Sequence, residues 1–81
     1  MTDDDVRTIL VTQLGRIAPE IPIDSIDPSA DLFDEFDIDS MDFLKLITAL
    51  GKELSLSMPE ADYDQMHSFD ALETYLKSHS A

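Results

Sequence analysis

The chain has 81 residues, with 18 Asp or Glu against five Lys or Arg, a formal net charge of −13, and no cysteine. That charge excludes nucleic-acid binding, which needs clustered Lys and Arg, and disfavours anionic membrane surfaces. The missing cysteines exclude disulfides, thiolate metal sites and any thiol of the chain's own, and so short a chain leaves little material for the walls of an enzyme cleft.

At 43% hydrophobic residues the chain is no solvated acidic tail, and a single domain over residues 1–81 is expected. The opening Met-Thr-Asp-Asp-Asp-Val has no basic stretch followed by an apolar one. No apolar run approaches the roughly 18 residues of a membrane span. A cytoplasmic monomer without stable membrane insertion is the expectation.

Val6, Ile9, Leu10, Leu14 and Ile17 recur at helical spacing and predict a first helix over about residues 3–17. Thr2 is its expected cap, and Asp3, Asp4 and Asp5 favour its positive end. Gly15 weakens the last turns, and Pro19 forces Ala18 out of helical geometry. Residues 18–39, punctuated by Pro19, Pro22 and Pro28, read as one long loop. Its scattered Ile21, Ile23, Ile26, Leu32, Phe33, Phe36 and Ile38 are expected to pin it across the helices.

A second helix is predicted from Asp39 or Ser40 to about Leu54, capped by Asp39, with Asp42 in its first turn. Its apolar residues Met41, Phe43, Leu44, Leu46, Ile47, Ala49, Leu50 and Leu54 cover more than one stripe, which predicts a central helix touching several others. Pro59 suits the first position of a short helix over Ala61–Met66. Phe69, Leu72, Tyr75 and Leu76 form the apolar face of a last helix capped by Ser68. The fold class is all-α: a small bundle of three main helices plus a short one, with a long first connection.

Catalysis finds few candidates. Only His67 and His79 titrate near neutrality unaided, with His67 in a helix junction and His79 at an end expected to fray. The acidic run from Asp31 to Asp42 suggests calcium, yet a loop starting at Glu35 puts Ser40 where glycine belongs and Leu46 where a bidentate Glu belongs. No metal site is assigned, although weak divalent binding to the cluster is compatible with its charge. Ser40 is the informative residue. It falls where the acidic loop meets a helix N-terminus, so its hydroxyl is expected to face solvent beside free backbone N–H groups able to stabilise a phosphodiester. A serine in that place is also simply a helix-cap residue.

Asp39-Ser40-Met41, entered from Leu32-Phe33-Asp34-Glu35-Phe36-Asp37-Ile38, resembles the modification site of acyl carrier proteins. The resemblance extends over nearly all 81 residues, through the Met41–Leu54 helix, Met58-Pro59-Glu60-Ala61 and Asp70-Ala71-Leu72-Glu73-Thr74-Tyr75-Leu76. It implies that a phosphopantetheinyl transferase moves 4′-phosphopantetheine from coenzyme A onto Ser40. The arm then supplies the missing thiol, and an acyl group rides on it as a thioester in fatty-acid, polyketide or related biosynthesis. Acyl-loading ligases or transferases and condensing enzymes are the implied partners. Ile47, Leu50, Met58, Met66 and Leu72 are the implied acyl pocket as well as ordinary core residues.

Asp37, Asp39, Met41, Asp42, Lys45 and Lys52 are the implied partner-recognition residues. Three departures bear on the partner. Phe36-Asp37 stands where many relatives have Leu-Gly, the first loop is longer, and Lys45, Gly51 and Lys52 occupy positions typically acidic in central fatty-acid carriers. A dedicated carrier with its own loading enzyme is therefore expected. The alternative is an unmodified acidic helical adaptor that keeps the fold and binds only a protein partner.

Overall fold

A computed structural model of the protein describes residues 2–79. Helix α1 spans Asp3–Ile17, as its apolar spacing predicts. Thr2 Oγ1 accepts the Asp5 N–H, and the Asp5 carboxylate accepts the Thr2 N–H, both at 3.1 Å. Two donors with no partner inside the helix are thus satisfied together. Ala18 leaves helical geometry (φ −130°) ahead of Pro19, while Gly15 does not shorten the helix.

The connection over residues 18–39 is not the single loop that its prolines suggest. It holds a 3-10 turn at Ile23–Ser25 and a five-residue helix, α2, at Leu32–Phe36. Five residues are too few to show a period in sequence, but Leu32 and Phe36, at i and i+4, are both buried. Asp31 caps α2 by accepting the Phe33 N–H at 2.8 Å. Asp37 ends it in the left-handed region (φ 51°), a conformation that Gly enters freely and Asp tolerates. Asp37 therefore takes a backbone conformation that Gly would adopt at less cost. Two backbone bonds tie the connection to the end of the chain: Leu32 N–H to the His67 carbonyl (2.7 Å) and Asp70 N–H to the Pro28 carbonyl (3.0 Å).

Helix α3 spans Ser40–Leu54 and buries Phe43, Leu46, Ile47, Leu50 and Leu54. As the breadth of its apolar face predicts, α3 touches several elements: α1 along its length, and through Phe43 both Phe33 of α2 and Tyr63. Helix α1 packs against both α3 and the last helix, while Met41 and Leu44 of α3 stand in solvent. Ser55, left-handed at φ 54°, terminates α3, and the Ser55 and Leu56 N–H groups both reach the Gly51 carbonyl. This reversal explains Gly51, since a Cβ there would lie 2.9 Å from the Leu56 carbonyl oxygen.

Glu60–Met66 forms a 3-10 helix rather than an α-helix, and Pro59 precedes it in extended geometry instead of opening it. Helix α4, Phe69–His79, is capped by the Ser68 hydroxyl, which accepts the Ala71 N–H at 3.0 Å. Its predicted face of Phe69, Leu72, Tyr75 and Leu76 is buried. His79 does not fray: its ring stacks on Tyr75 at 4.1 Å and its Nδ1 lies 2.8 Å from the Tyr75 carbonyl oxygen. Two polar burials escape the apolar pattern, Gln13 and Glu73. Glu73 is neutralised by Arg7 (3.0 Å) and Lys77 (3.7 Å), and the Arg7 guanidinium also covers the Phe69 ring.

Candidate functional site

Ser40 is the first residue of α3 and is exposed. Asp39 sets the helix start: its Oδ1 accepts the Asp42 N–H at 2.9 Å, and the Asp42 carboxylate accepts the Asp39 N–H at 3.4 Å. This reciprocal cap fixes where the helix begins and so fixes the Ser40 backbone. With Asp42 N–H taken by the cap and Phe43 N–H bonded to the Asp39 carbonyl at 3.0 Å, the N–H groups of Ser40 and Met41 remain the unsatisfied donors of the first turn.

Ser40 lines a cleft of about 340 Å³ whose other walls are Phe33, Phe43, Leu44, Glu60, Tyr63 and His67. The aromatic rings form one connected cluster. Phe33 and Phe43 are 5.1 Å apart, Phe43 meets Tyr63 edge-on at 5.4 Å, and Phe33 lies 6.2 Å from His67. The cleft is thus built from α2, α3 and the 3-10 helix. Of its lining, only Phe43, one turn after Ser40, and Leu44 share a helix with the serine. Phe33, Tyr63 and His67 arrive through tertiary packing; Phe33 lies in the stretch that enters Asp39-Ser40-Met41, while Tyr63 and His67 carry no sequence signal for this site. His67 pairs with Asp64 at 3.5 Å rather than with the serine. Among the described residues, no hydrogen bond links the Ser40 hydroxyl to a base.

The residues implied as an acyl pocket have a different setting. Ile47, Leu50, Met66 and Leu72 are core side chains at most 4% exposed, and Met58 is half-buried against them. Asp37, Asp39, Met41, Lys45 and Lys52 are all exposed, and Asp42 is partly so. A second, open trough of about 350 Å³ runs along α3, lined by Met41, Leu44, Lys45, Thr48, Ala49 and Lys52. Met41 is 65% and Leu44 45% exposed. Burying such a side chain fully is worth about 1.5–3 kcal/mol, so both hold back part of that gain in the free protein.

Two other groups have shifted titration. The Asp62 carboxylate accepts the Tyr75 hydroxyl at 2.7 Å, which, with burial and the Asp62 charge, raises the phenol above its usual value. Asp27 is held below the usual carboxylate range by the Ser29 hydroxyl and backbone N–H. Both groups brace structure away from Ser40. Among the described residues, no group of His, Asp and Glu gathers closely enough to hold a metal ion.

Ser40 is thus an exposed serine at a capped helix start, opening into a mostly apolar cleft. A family model described as phosphopantetheine attachment site matches residues 4–76, and the chain belongs to that family. It is similar to the acyl carrier protein of Clostridium acetobutylicum, 31% identical with 99% of this chain and 97% of the relative covered. The acyl carrier protein of Chlamydia caviae is 29% identical over 94% of this chain and 92% of its own length. That of Bdellovibrio bacteriovorus is 28% identical, with 89% and 86% covered. The protein is an acyl carrier rather than a catalyst, and its cofactor is 4′-phosphopantetheine.

Proposed function

We propose that Ser40 is the attachment point, within a single carrier domain over residues 1–81. The supporting observation is the reciprocal Asp39–Asp42 cap, which holds an exposed hydroxyl beside two unsatisfied N–H groups. The residues fit the group: a phosphodiester on the Ser40 oxygen can accept from the Ser40 and Met41 N–H groups, and the cleft walls offer apolar contact. When bound, the arm supplies the thiol that carries acyl groups as thioesters.

Charge decides what a modifying enzyme must provide. A helix N-terminus favours an anion by about 0.3–1 kcal/mol at an exposed site. Like charges about 4 Å apart in water repel by about 1 kcal/mol. Asp37, Asp39 and Asp42 therefore offset the helix contribution, and a phosphopantetheinyl transferase has to bring positive charge to this end of α3. Met41, Lys45 and Lys52 extend the same face toward acyl-loading and condensing enzymes. We place shelter for an acyl chain among Ile47, Leu50, Met58, Met66 and Leu72. Because four of these are closed to solvent, entry requires them to move apart.

Intact-mass measurement after incubation with a transferase and coenzyme A tests the assignment. One phosphopantetheine is expected on the wild type and none on Ser40→Ala, which should fold normally. Modification of that variant, or none of the wild type, sinks Ser40 as the attachment point.

A further inference from the structure

The cations of this chain are unevenly employed. Of its five Lys and Arg residues, Arg7 and Lys77 are held by Glu73. Arg16, Lys45 and Lys52 are exposed and, among the described residues, carry no ion pair; the two lysines share α3. They lie seven residues apart on α3, so two helical turns, or about 10 Å, separate them along the axis. Between them run Thr48 and Ala49, and the trough they share is completed by Met41 and Leu44. Among the described residues, those two are also the large hydrophobic side chains left in solvent.

We infer that this trough docks a protein partner presenting an apolar side chain flanked by carboxylates, in a fixed polarity along α3. The inference rests on the carrier reading and adds the chemistry of the partner. Asp39 and Asp42 hold the N-terminal end of the helix negative, while Lys45 and Lys52 are the charged side chains of the trough itself, with Glu53 exposed beside Lys52 but outside its lining. Asp42 and Lys52 are ten residues, roughly 15 Å, apart along the axis. That exceeds the Debye length of about 8 Å at physiological ionic strength, so Lys52 acts apart from Asp42, whereas Lys45, three residues or about 4.5 Å from Asp42 along the axis, is partly offset by it. The same screening hides most of the −13 net charge from a group seated in the trough. Local attraction to the two lysines then outweighs distant repulsion. A partner with basic groups along the whole of α3 meets like charge at both lysines, which selects against it.

The test uses two designed amphipathic helical peptides of 18 residues with one shared leucine face, flanked by Glu in one and by Lys in the other. Each is titrated into the isotope-labelled protein at 0.15 M salt, and amide shifts are followed. The Glu peptide is expected to move Met41, Leu44, Thr48 and Ala49. The Lys peptide is expected to gather at Asp37, Asp39 and Asp42. Lys45→Glu with Lys52→Glu should weaken the Glu peptide about tenfold, and Lys45→Gln with Lys52→Gln by less. Circular dichroism of both variants should match wild type, because neither lysine is buried.

Equal Glu-peptide affinity for wild type and the Glu variant overturns the inference, as do shifts confined to another surface. Concentration-dependent dimerisation through the trough in sedimentation would give it to a second copy and overturn it as well. None of these readouts requires Ser40 to be modified. A failed mass gain and a failed titration therefore identify which of the two readings is wrong.

Discussion

Asp39 performs two jobs that two substitutions separate. Its Oδ1 caps α3 through the Asp42 N–H, and its charge sits beside Ser40. Asp39→Ala removes both. Loss of a helix cap costs about 0.5–2 kcal/mol, typically near 1, and leaves the Asp42 N–H without its protein acceptor. In a domain of this size, 1 kcal/mol lowers Tm by about 4–8 °C. Asp39→Asn retains a capping side chain of comparable quality. It gives up about 0.3–1 kcal/mol of charge–dipole attraction and relieves repulsion from Asp37 and Asp42 of similar size, so Tm should stay within about 2 °C of wild type. The transferase reaction then separates the roles. If charge recruits the enzyme, both variants lose rate, and Asn loses it without losing stability. Thermal melts and single-turnover modification followed by mass provide the readouts. An Asp39→Asn protein as unstable as Asp39→Ala would refute the cap as the element that holds the site.

Three further outcomes follow from the structure. Ser55→Gly should raise stability by about 0.5–1 kcal/mol, because Ser55 occupies a left-handed conformation that a Cβ disfavours; a chemical-denaturation midpoint that does not rise argues against that geometry. Tyr75→Phe should cost about 1 kcal/mol at neutral pH by deleting the bond to Asp62. The folded phenol titrates above its usual 10.0, so its contribution is complete below pH 10 and lost as pH rises through the raised value; the variant should show a flatter alkaline limb of stability against pH. Finally, with a net charge of −13, salt or millimolar magnesium should raise Tm by screening self-repulsion, and a Tm indifferent to both would show that repulsion is a negligible term.

The positions most open to a reading of the sequence were those governed by neighbours a few residues away. α1 and α3 begin and end where caps and apolar spacing place them, since Thr2, Asp39 and Ser68 act on N–H groups within one turn. Ser40 is conspicuous for the same reason: an acidic approach, a cap and a helix start are all local. α2 was hidden because five residues cannot display a helical period, and because Leu32 and Phe36 become a helical pair only when the core receives them. The left-handed Asp37 and the need for Gly51 likewise depend on how the chain folds back, at Leu56 in the second case.

The sequence by itself determined an acidic all-helical chain with a serine at a capped helix start, because charge, apolar periodicity and capping are properties of short stretches. Only the tertiary structure decided what surrounds that serine. Phe33, Tyr63 and His67 reach the cleft from α2, the 3-10 helix and the junction before α4. It also decided which apolar residues of α3 would remain outside. Met41 and Leu44 are as hydrophobic as Leu46 and Leu50, but α1, α2 and the 3-10 helix cover other parts of α3 and leave these two largely exposed. Periodicity gives the apolar width of a helix, and only its packed neighbours determine how much of that width is buried.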